Sequence, residues 1–308
     1  MKNKITYIVI GRNEEKNLAR CFSSIQKISS RIIYIDSGSV DSSVSIAKKY
    51  NVENIIQYKA DYSTPAMSRS IGAKGIKTEY IQFLDGDMTL EQSWIPFAAE
   101  RLEKDPRIAV VHGYKKVYTK NEHDYFILSD KKDWQPDYLQ GAYLIRTDAY
   151  NRAGGLDGRF PGEEERDLYV RIHSLGYQVW YIHHLMASHY DFKKKNTNIK
   201  FLFFSDSAAI FWIPLIKSIK NCNFKSYIFV YRKLLPFLLM DFSTVILLFF
   251  GWPGFFYSFI MQFTGLIYAL LIKRRGYFII WKAAFINIPG AIKLYRRKIE
   301  YTLKSTQL

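Results

Sequence analysis

Through the first third of the chain, short apolar runs alternate with segments of helical spacing. Residues 5–10, 31–36, 53–58 and 80–84 are runs of β-branched and aromatic side chains bounded by polar or turn residues, the pattern of buried strands. Between them, residues 14–28, 41–50 and 64–77 place apolar side chains at a helical period, with Asp41 positioned to cap the second segment. Alternation at this spacing predicts an α/β domain, a mostly parallel sheet flanked by helices, whose ligands sit at the carboxyl ends of the strands. Acidic residues fall there: Asp36 closes the second run, and Asp85 and Asp87 follow the fourth.

Residues 105–190 are less regular and form a second half of the same 1–190 domain. They hold a Gly154-Gly155 turn, the carboxylate cluster Glu163, Glu164, Glu165 and Asp167, and a predicted helix from about 165 to 175. Residues 191–198 (DFKKKNTN) contain one apolar side chain, Phe192, and are the predicted linker. Residues 199–308 then change character. From Phe242 to Ile272 there are 31 consecutive residues without a charge, more than the roughly 20 that a membrane-crossing helix needs. Two apolar stretches, 234–250 and 255–272, are separated by Gly251-Trp252-Pro253-Gly254, which predicts a helical hairpin. Arg232 and Lys233 flank one outer end and Lys273, Arg274 and Arg275 the other, so both ends are expected on the cytoplasmic side. Asp241 weakens the first arm as a full span and leaves a shallow, re-entrant hairpin equally open.

Charge sharpens this division. Residues 1–189 carry 26 Lys and Arg against 24 Asp and Glu, whereas residues 190–308 carry 18 against 4, so the net charge of +16 sits almost wholly in the tail. A basic excess serves nucleic acid or an anionic membrane, and the long charge-free run selects the membrane and excludes nucleic acid. The two cysteines, Cys21 and Cys222, are too few for a disulfide framework. Met1 runs directly into ITYIVI, so no signal peptide is expected. The expected location is the cytoplasmic face of the cell inner membrane.

Three constellations carry candidate chemistry. In FLDGDM (83–88), two carboxylates one residue apart leave a strand, an arrangement that suits Mg²⁺ or Mn²⁺ bridging phosphate oxygens. In Asp36-Ser37-Gly38-Ser39, a carboxylate at a strand end can accept hydrogen bonds from a ribose or base, or else cap its own turn. In GEEERDLYVRI (162–172), clustered carboxylates repel one another and raise at least one pKa, making a candidate general base.

The order YIVIGRNEE, IIYIDSGSVDSS, MSRSIGAKGIKTEYIQFLDGD, GAYLIRTDAYNRAGGLD, GEEERDLYVRIHSLGY and ASHYD resembles glycosyltransferase family 2, inverting enzymes of the GT-A fold, over nearly all of residues 4–190. The resemblance implies a nucleotide site built from Ile10, Gly11, Arg12, Glu14, Asp36, Ser37, Arg69, Asp85 and Gly86. It implies a divalent metal at Asp87 with Asp85, and His189 nearby, though His183 and His184 compete for that position. Anchoring on Asp167, Leu168 and Arg171 assigns Glu165 as the base, with Glu164 in reserve; Glu replaces the Asp more usual there. Gly141, Trp134 and Asp167 fall on the acceptor side. The implied reaction moves a sugar from a nucleotide-diphosphate sugar, a UDP-sugar foremost, to a lipid-linked glycan in surface-polysaccharide assembly. Two other readings stay open: a polyprenyl-phosphate acceptor, which needs no base, and an inactive scaffold of the same fold.

Overall fold

The structure, a computed structural model, describes residues 2–119, 124–128, 132–191, 209–233, 235–271 and 288–307. They fall into two compact units, Met1–Lys195 with Lys298–Leu308, and Asn196–Arg297.

The first unit opens with β1 (Ile5–Gly11), α1 (Leu18–Gln26), β2 (Ile32–Asp36), α2 (Ser43–Lys49), β3 (Asn54–Lys59), α3 (Pro65–Ala73) and β4 (Tyr80–Asp85), the expected alternation. There follow β5 (Met88–Leu90), α4 (Trp94–Lys104), β6 (Ile108–Tyr118), β7 (Tyr125–Leu128), β8 (Tyr143–Arg146), α5 (Thr147–Arg152), α6 (Glu164–Ser174) and β9 (Gln178–Tyr190). The strands form a ten-stranded sheet in the order β10-β3-β2-β1-β4-β8-β6-β9-β5, with β7 on β6 and β10 being Thr302–Gln307.

The sheet is mixed rather than mostly parallel. The β1–β2, β1–β4, β2–β3 and β6–β9 pairings are parallel, but β8, β7, β5 and β10 each join antiparallel. The expectation extended the helix–strand alternation of the first half across the whole domain. In the second half β6, β7 and β8 follow one another with no helix among the described residues, and β7 and β8 both pair antiparallel with β6. The tail is likewise not helical throughout, because β10 returns to pair with the β3 edge, where an unpaired strand would leave its ladder groups open.

Two local features aim α3 at the ligand end of the sheet. Thr64 caps it, its hydroxyl accepting from the Met67 amide at 3.0 Å, and Pro65 occupies the first turn. A Cβ on Gly72 would stand 2.7 Å from Ile8 Cγ2, so the helix lies directly on β1. Arg69, one turn earlier, is thereby fixed at the end of β4.

In the second unit the helices are α7 (Ala209–Lys220), α8 (Phe224–Tyr231), α9 (Leu235–Leu248), α10 (Gly251–Leu271) and α11 (Ile288–Arg296). α9 and α10 pair as a hairpin, with Gln262 Nε2 donating to Thr244 Oγ1 at 2.6 Å. The break falls at 249–250, not at the expected 251–254. Gly251, at φ +66°, turns the chain, and Pro253 then sits in the first turn of α10, where no amide donor is needed. Gly254 packs on the Leu247 carbonyl, leaving no room for a Cβ. Among the described residues, no helix is long and apolar enough to cross a membrane. The predicted linker lies outside the described residues except for Asp191.

Candidate active site

A cleft of about 330 Å³ opens at the carboxyl ends of β1 and β4. Ile10, Gly11, Arg12, Glu14 and Ser37 line one wall, Ser63 through Pro65, Ser68 and Arg69 another, and Asp85, Gly86 and Asp87 the floor. Eight of the nine residues assigned to the nucleotide from sequence therefore line one cavity. Asp36 does not. It is fully buried, and its carboxylate accepts from the Gly38 and Ser39 amides at 3.2 and 3.0 Å, from Tyr34 Oη at 3.1 Å and from the Ser39 hydroxyl. It shapes the loop that presents Ser37, the turn-capping alternative of the sequence reading. Glu14 is anchored as well, accepting from Asn17 Nδ2 at 2.9 Å while its amide donates to the Ser43 hydroxyl.

The floor is a tight turn. The Gly86 amide donates to the Ile10 carbonyl at 2.8 Å, and a Cβ there would press on Leu18 and that carbonyl, so a glycine seats the turn against β1. Asp85 and Asp87 emerge on either side. Asp87 Oδ2 lies 3.2 Å from His189 Nε2, because β5 pairs with β9 in the register Met88–His189. The other two histidines point elsewhere: the His183 ring packs at 5.4 Å on Tyr114, and His184 Nε2 lies 2.9 Å from the Ser93 hydroxyl. The geometry thus distinguishes His189 from its two competitors. Asp87 Oδ1 is buried and without a hydrogen-bond partner.

Arg69 joins this floor to the acidic helix. Its guanidinium, 3% exposed, donates to Asp85 Oδ1 at 2.7 Å, to Glu164 Oε1 at 2.5 Å and to Glu165 Oε1 at 3.1 Å. Burial alone would lower the Arg69 pKa, but the three carboxylates more than offset that and raise it. Glu164 and Glu165 open α6, where their charge also faces the helix N-terminus. The residue before them, Glu163, holds φ +56° and is clamped by Arg166 Nε at 2.6 Å. Such backbone strain outside glycine concentrates at functional sites. Burial, then the Glu164 charge, push the Glu165 pKa up to about 8, with Arg69 opposing; burial raises Glu164 too.

Of the acceptor-side candidates, Gly141 stands against this centre: a Cβ there would be 2.8 Å from Arg69 Nη2 and 3.4 Å from Glu165 Oε1. Trp134 forms a bridge with Tyr181 and packs edge-on to Tyr138. Asp167 is buried against Arg171, which donates onward to the Ala153 and Gly155 carbonyls and so ties α6 to the Gly154-Gly155 turn.

Sequence reasoning missed Lys115. This β6 residue is half-buried and within electrostatic reach of Asp85, Glu165, Arg69 and Asp87. Burial lowers its pKa while the carboxylates hold it up. The pair Lys115-Lys116 inside an eleven-residue strand that is otherwise largely apolar and aromatic was the available signal.

Comparison with known proteins finds likenesses in sequence and in fold. The Glycosyl transferase family 2 profile matches residues 6–156. The pre-mycofactocin glycosyltransferase of Mycobacterium tuberculosis is 24% identical over 195 residues, 58% of this chain and 40% of that protein, so the match spans less than half of the curated relative's length. Among solved structures, the mannosyltransferase PcManGT of Pyrobaculum calidifontis, in complex with GDP-Man and Mn²⁺, superposes with a TM-score of 0.60 at 16% identity, covering 95% of this chain and 87% of that one. S. aureus TarS 1-349 in complex with UDP-GlcNAc gives 0.54 at 14% identity, over 69% and 66%. These likenesses establish the α/β fold with its mixed sheet. The likeness to the Glycosyl transferase family 2 profile thus spans residues 6–156, just under half of the chain, and the relative and solved structures compared include glycosyltransferases.

Proposed function

We propose that this chain is an inverting glycosyltransferase that moves a sugar from a nucleotide-diphosphate sugar to a hydroxyl of a lipid-linked glycan at the cytoplasmic face of the inner membrane. The observation that carries it is Arg69, which lines the nucleotide-sized cleft and at the same time holds Asp85 and Glu165. Donor floor and candidate base are thereby kept in one fixed relationship, the pre-organisation that an in-line displacement requires.

The donor set fits a divalent cation. Asp87 offers a buried carboxylate oxygen with no partner, and His189 and Asp85 stand beside it. Among the described residues no three His, Cys, Asp or Glu side chains close into a complete site; Mg²⁺ or Mn²⁺ here would take its remaining ligands from diphosphate oxygens and water. Such a cation supplies charge neutralisation for the departing diphosphate. Gly11, Arg12 and Ser37 bind the nucleotide. Glu165, when ionised, accepts the proton of the acceptor hydroxyl as that oxygen attacks the anomeric carbon from the face opposite the leaving group. Arg69 keeps Glu165 from swinging away. The donors in the complexes of TarS and PcManGT, UDP-GlcNAc and GDP-Man, support a nucleotide-sugar donor here; a UDP-sugar is our first choice.

The membrane part of the proposal is supported by the basic tail and by the exposed aromatic surface of α9 and α10, including Phe249, Trp252 and Phe259. The deciding experiment for the activity is a thermal-shift panel of UDP, GDP, CDP and dTDP with Mn²⁺ on the intact chain, since a ligand of the native state raises Tm. A rise for one nucleotide, followed by transfer that Glu165→Gln abolishes without loss of that rise, is expected. No rise with any nucleotide overturns the reading.

A further inference from the structure

We propose that Tyr301, where the chain returns to the first unit at residues 298–308, is a positioning residue for donor binding: it holds the hydroxyl-lined wall of the cleft in the shape that a nucleoside diphosphate needs. The inference rests on the glycosyl-transfer reading above and adds a residue that lies well beyond the family likeness.

Ser63, Thr64 and Ser68 line one wall of the cleft. Tyr58 is buried and does not line it, yet its Oη lies 2.7 Å from Ser63 Oγ and 2.8 Å from Ser68 Oγ. Ser68 Oγ donates to the Thr64 carbonyl at 3.3 Å, so its one proton is committed; Tyr58 Oη then donates to Ser68 and accepts from Ser63. A single phenol thus fixes both ends of the 63–68 stretch. Tyr58 belongs to β3, and β10 pairs along its outer edge with Leu303 opposite Tyr58 itself. Two residues before Leu303, the Tyr301 ring closes edge-on against the Tyr58 ring, with centroids 6.1 Å apart and planes at 71°, a geometry that aromatic pairs favour. Ile299 reaches a second support. A Cβ on Gly158 would stand 3.3 Å from Ile299 Cδ1, and the Gly158 carbonyl accepts from Thr64 Oγ1 at 2.7 Å. Thr64 caps α3, the helix that carries Ser68 and Arg69. The same short return therefore touches both the phenol and the cap that hold the wall.

The role is one of position rather than of core packing. Tyr301 is 37% exposed and Ile299 42%, so neither buries enough apolar area to decide whether the domain folds. What Tyr301 restricts is the freedom of the Tyr58 ring, and through its hydroxyl the freedom of Ser63 and Ser68. A wall ordered in advance spares the nucleotide the cost of ordering it on binding. That saving applies equally to the bound donor and to the transition state, so it is seen in donor affinity and not in the chemical step. Because the chain passes through residues 196–297 before it reaches Tyr301, a protein cut at 195 loses this support of the donor wall along with the helices.

The test uses the intact chain with Mn²⁺ and isothermal titration of UDP, GDP, CDP and dTDP into wild type, Tyr301→Ala, Tyr301→Phe, Tyr58→Phe and the double variant Tyr301→Ala/Tyr58→Phe. For the diphosphate that wild type binds, Tyr301→Ala is expected to lose roughly three- to tenfold in affinity, and Tyr301→Phe, which keeps the ring, to bind as wild type does. Tyr58→Phe keeps its ring but not its hydroxyl and should lose at least as much as Tyr301→Ala. The double variant should lose no more than Tyr58→Phe alone, because both changes act through one hydroxyl. In turnover, the donor KM rises while kcat holds. Wild-type affinity in Tyr301→Ala overturns the inference and leaves glycosyl transfer standing. So does a loss in Tyr301→Phe equal to that in Tyr301→Ala, or a double variant in which the two losses multiply. A Tyr301→Ala chain whose Tm shows that it does not fold overturns it too, since the residue is then structural. A wild type that binds none of the four diphosphates overturns both.

Discussion

His189 and Asp87 stand 102 positions apart in the chain and 3.2 Å apart in space, because the short strand β5 carries the end of the FLDGDM motif into register with the end of β9. The pairing aims Asp87 Oδ2 at the imidazole and leaves Oδ1 buried and without a hydrogen bond. Asp87→Ala is therefore expected to abolish transfer and the metal-dependent gain in nucleotide affinity, with Tm close to wild type, because the carboxylate supports little of the fold. Titration of the nucleotide with and without Mn²⁺ checks this. A wild type indifferent to the metal would falsify the assignment of Asp87.

Glu165 makes activity and stability pH-dependent in opposite directions. Its pKa is raised to about 8 by burial and by Glu164, so the ionised base becomes available as pH rises through that value. Below it, kcat/KM should climb about tenfold per pH unit and then level off. For stability the sign reverses. The folded state binds the proton more tightly than the unfolded chain, whose value is near 4.5, so stability is greatest at low pH and is lost as pH rises from about 4.5 to about 8. Glu165→Gln should lower the rate by roughly 10²–10⁴ and flatten this part of the Tm–pH curve. An unaltered rate profile would move the base to Glu164.

Arg69 is the group whose loss the fold should feel most. Arg69→Met leaves Asp85, Glu164 and Glu165 facing one another in a buried setting, and a cost of about 3–5 kcal/mol is expected from an uncompensated buried charge. Denaturant unfolding measures it, and part of the loss should be recovered at acid pH, where the carboxylates protonate. Gly141→Ala offers a gentler probe. Its methyl would stand 2.8 Å from Arg69 Nη2 and must displace the guanidinium, so activity should fall by more than stability does.

The residues that carry this site were legible in the sequence wherever they followed a strand. Asp85 and Asp87 leave β4, Ser37 leaves β2 and Gly11 ends β1, and the parallel register of β1 with β2 and β4 brings those ends together. Asp36 was placed correctly on its strand but its role was not readable: a carboxylate at a strand end serves a ligand or its own turn, and only the amides of Gly38 and Ser39 decide which. Lys115 escaped because nothing in a strand's sequence says which charges from elsewhere in the chain will stand within electrostatic reach of it. The same holds for β10, whose six residues carry no strong strand signal and form a strand by pairing with the β3 edge.

The tail predicts how the enzyme is held. The hairpin of α9 and α10 exposes large side chains, with Phe249 in its turn 86% and Trp252 85% exposed, and among the described residues neither helix is long and apolar enough to cross a bilayer. An apolar surface of that kind needs a cover, and the excess of Lys and Arg beyond residue 190 favours an anionic membrane over a neutral partner. Each basic residue near such a surface adds about 1 kcal/mol, and the aromatic side chains add shallow insertion that salt does not screen. The two contributions separate experimentally. Membranes from cells expressing the full chain should retain it through a high-salt wash and release it in detergent, and a variant carrying Ser at Phe249, Trp252, Phe255 and Phe256 should become salt-extractable. If the full chain remains in the supernatant without detergent, the membrane assignment is wrong. If salt alone strips the wild type, the aromatic hairpin does not insert, and the basic surface by itself brings the catalytic domain to a lipid-linked acceptor.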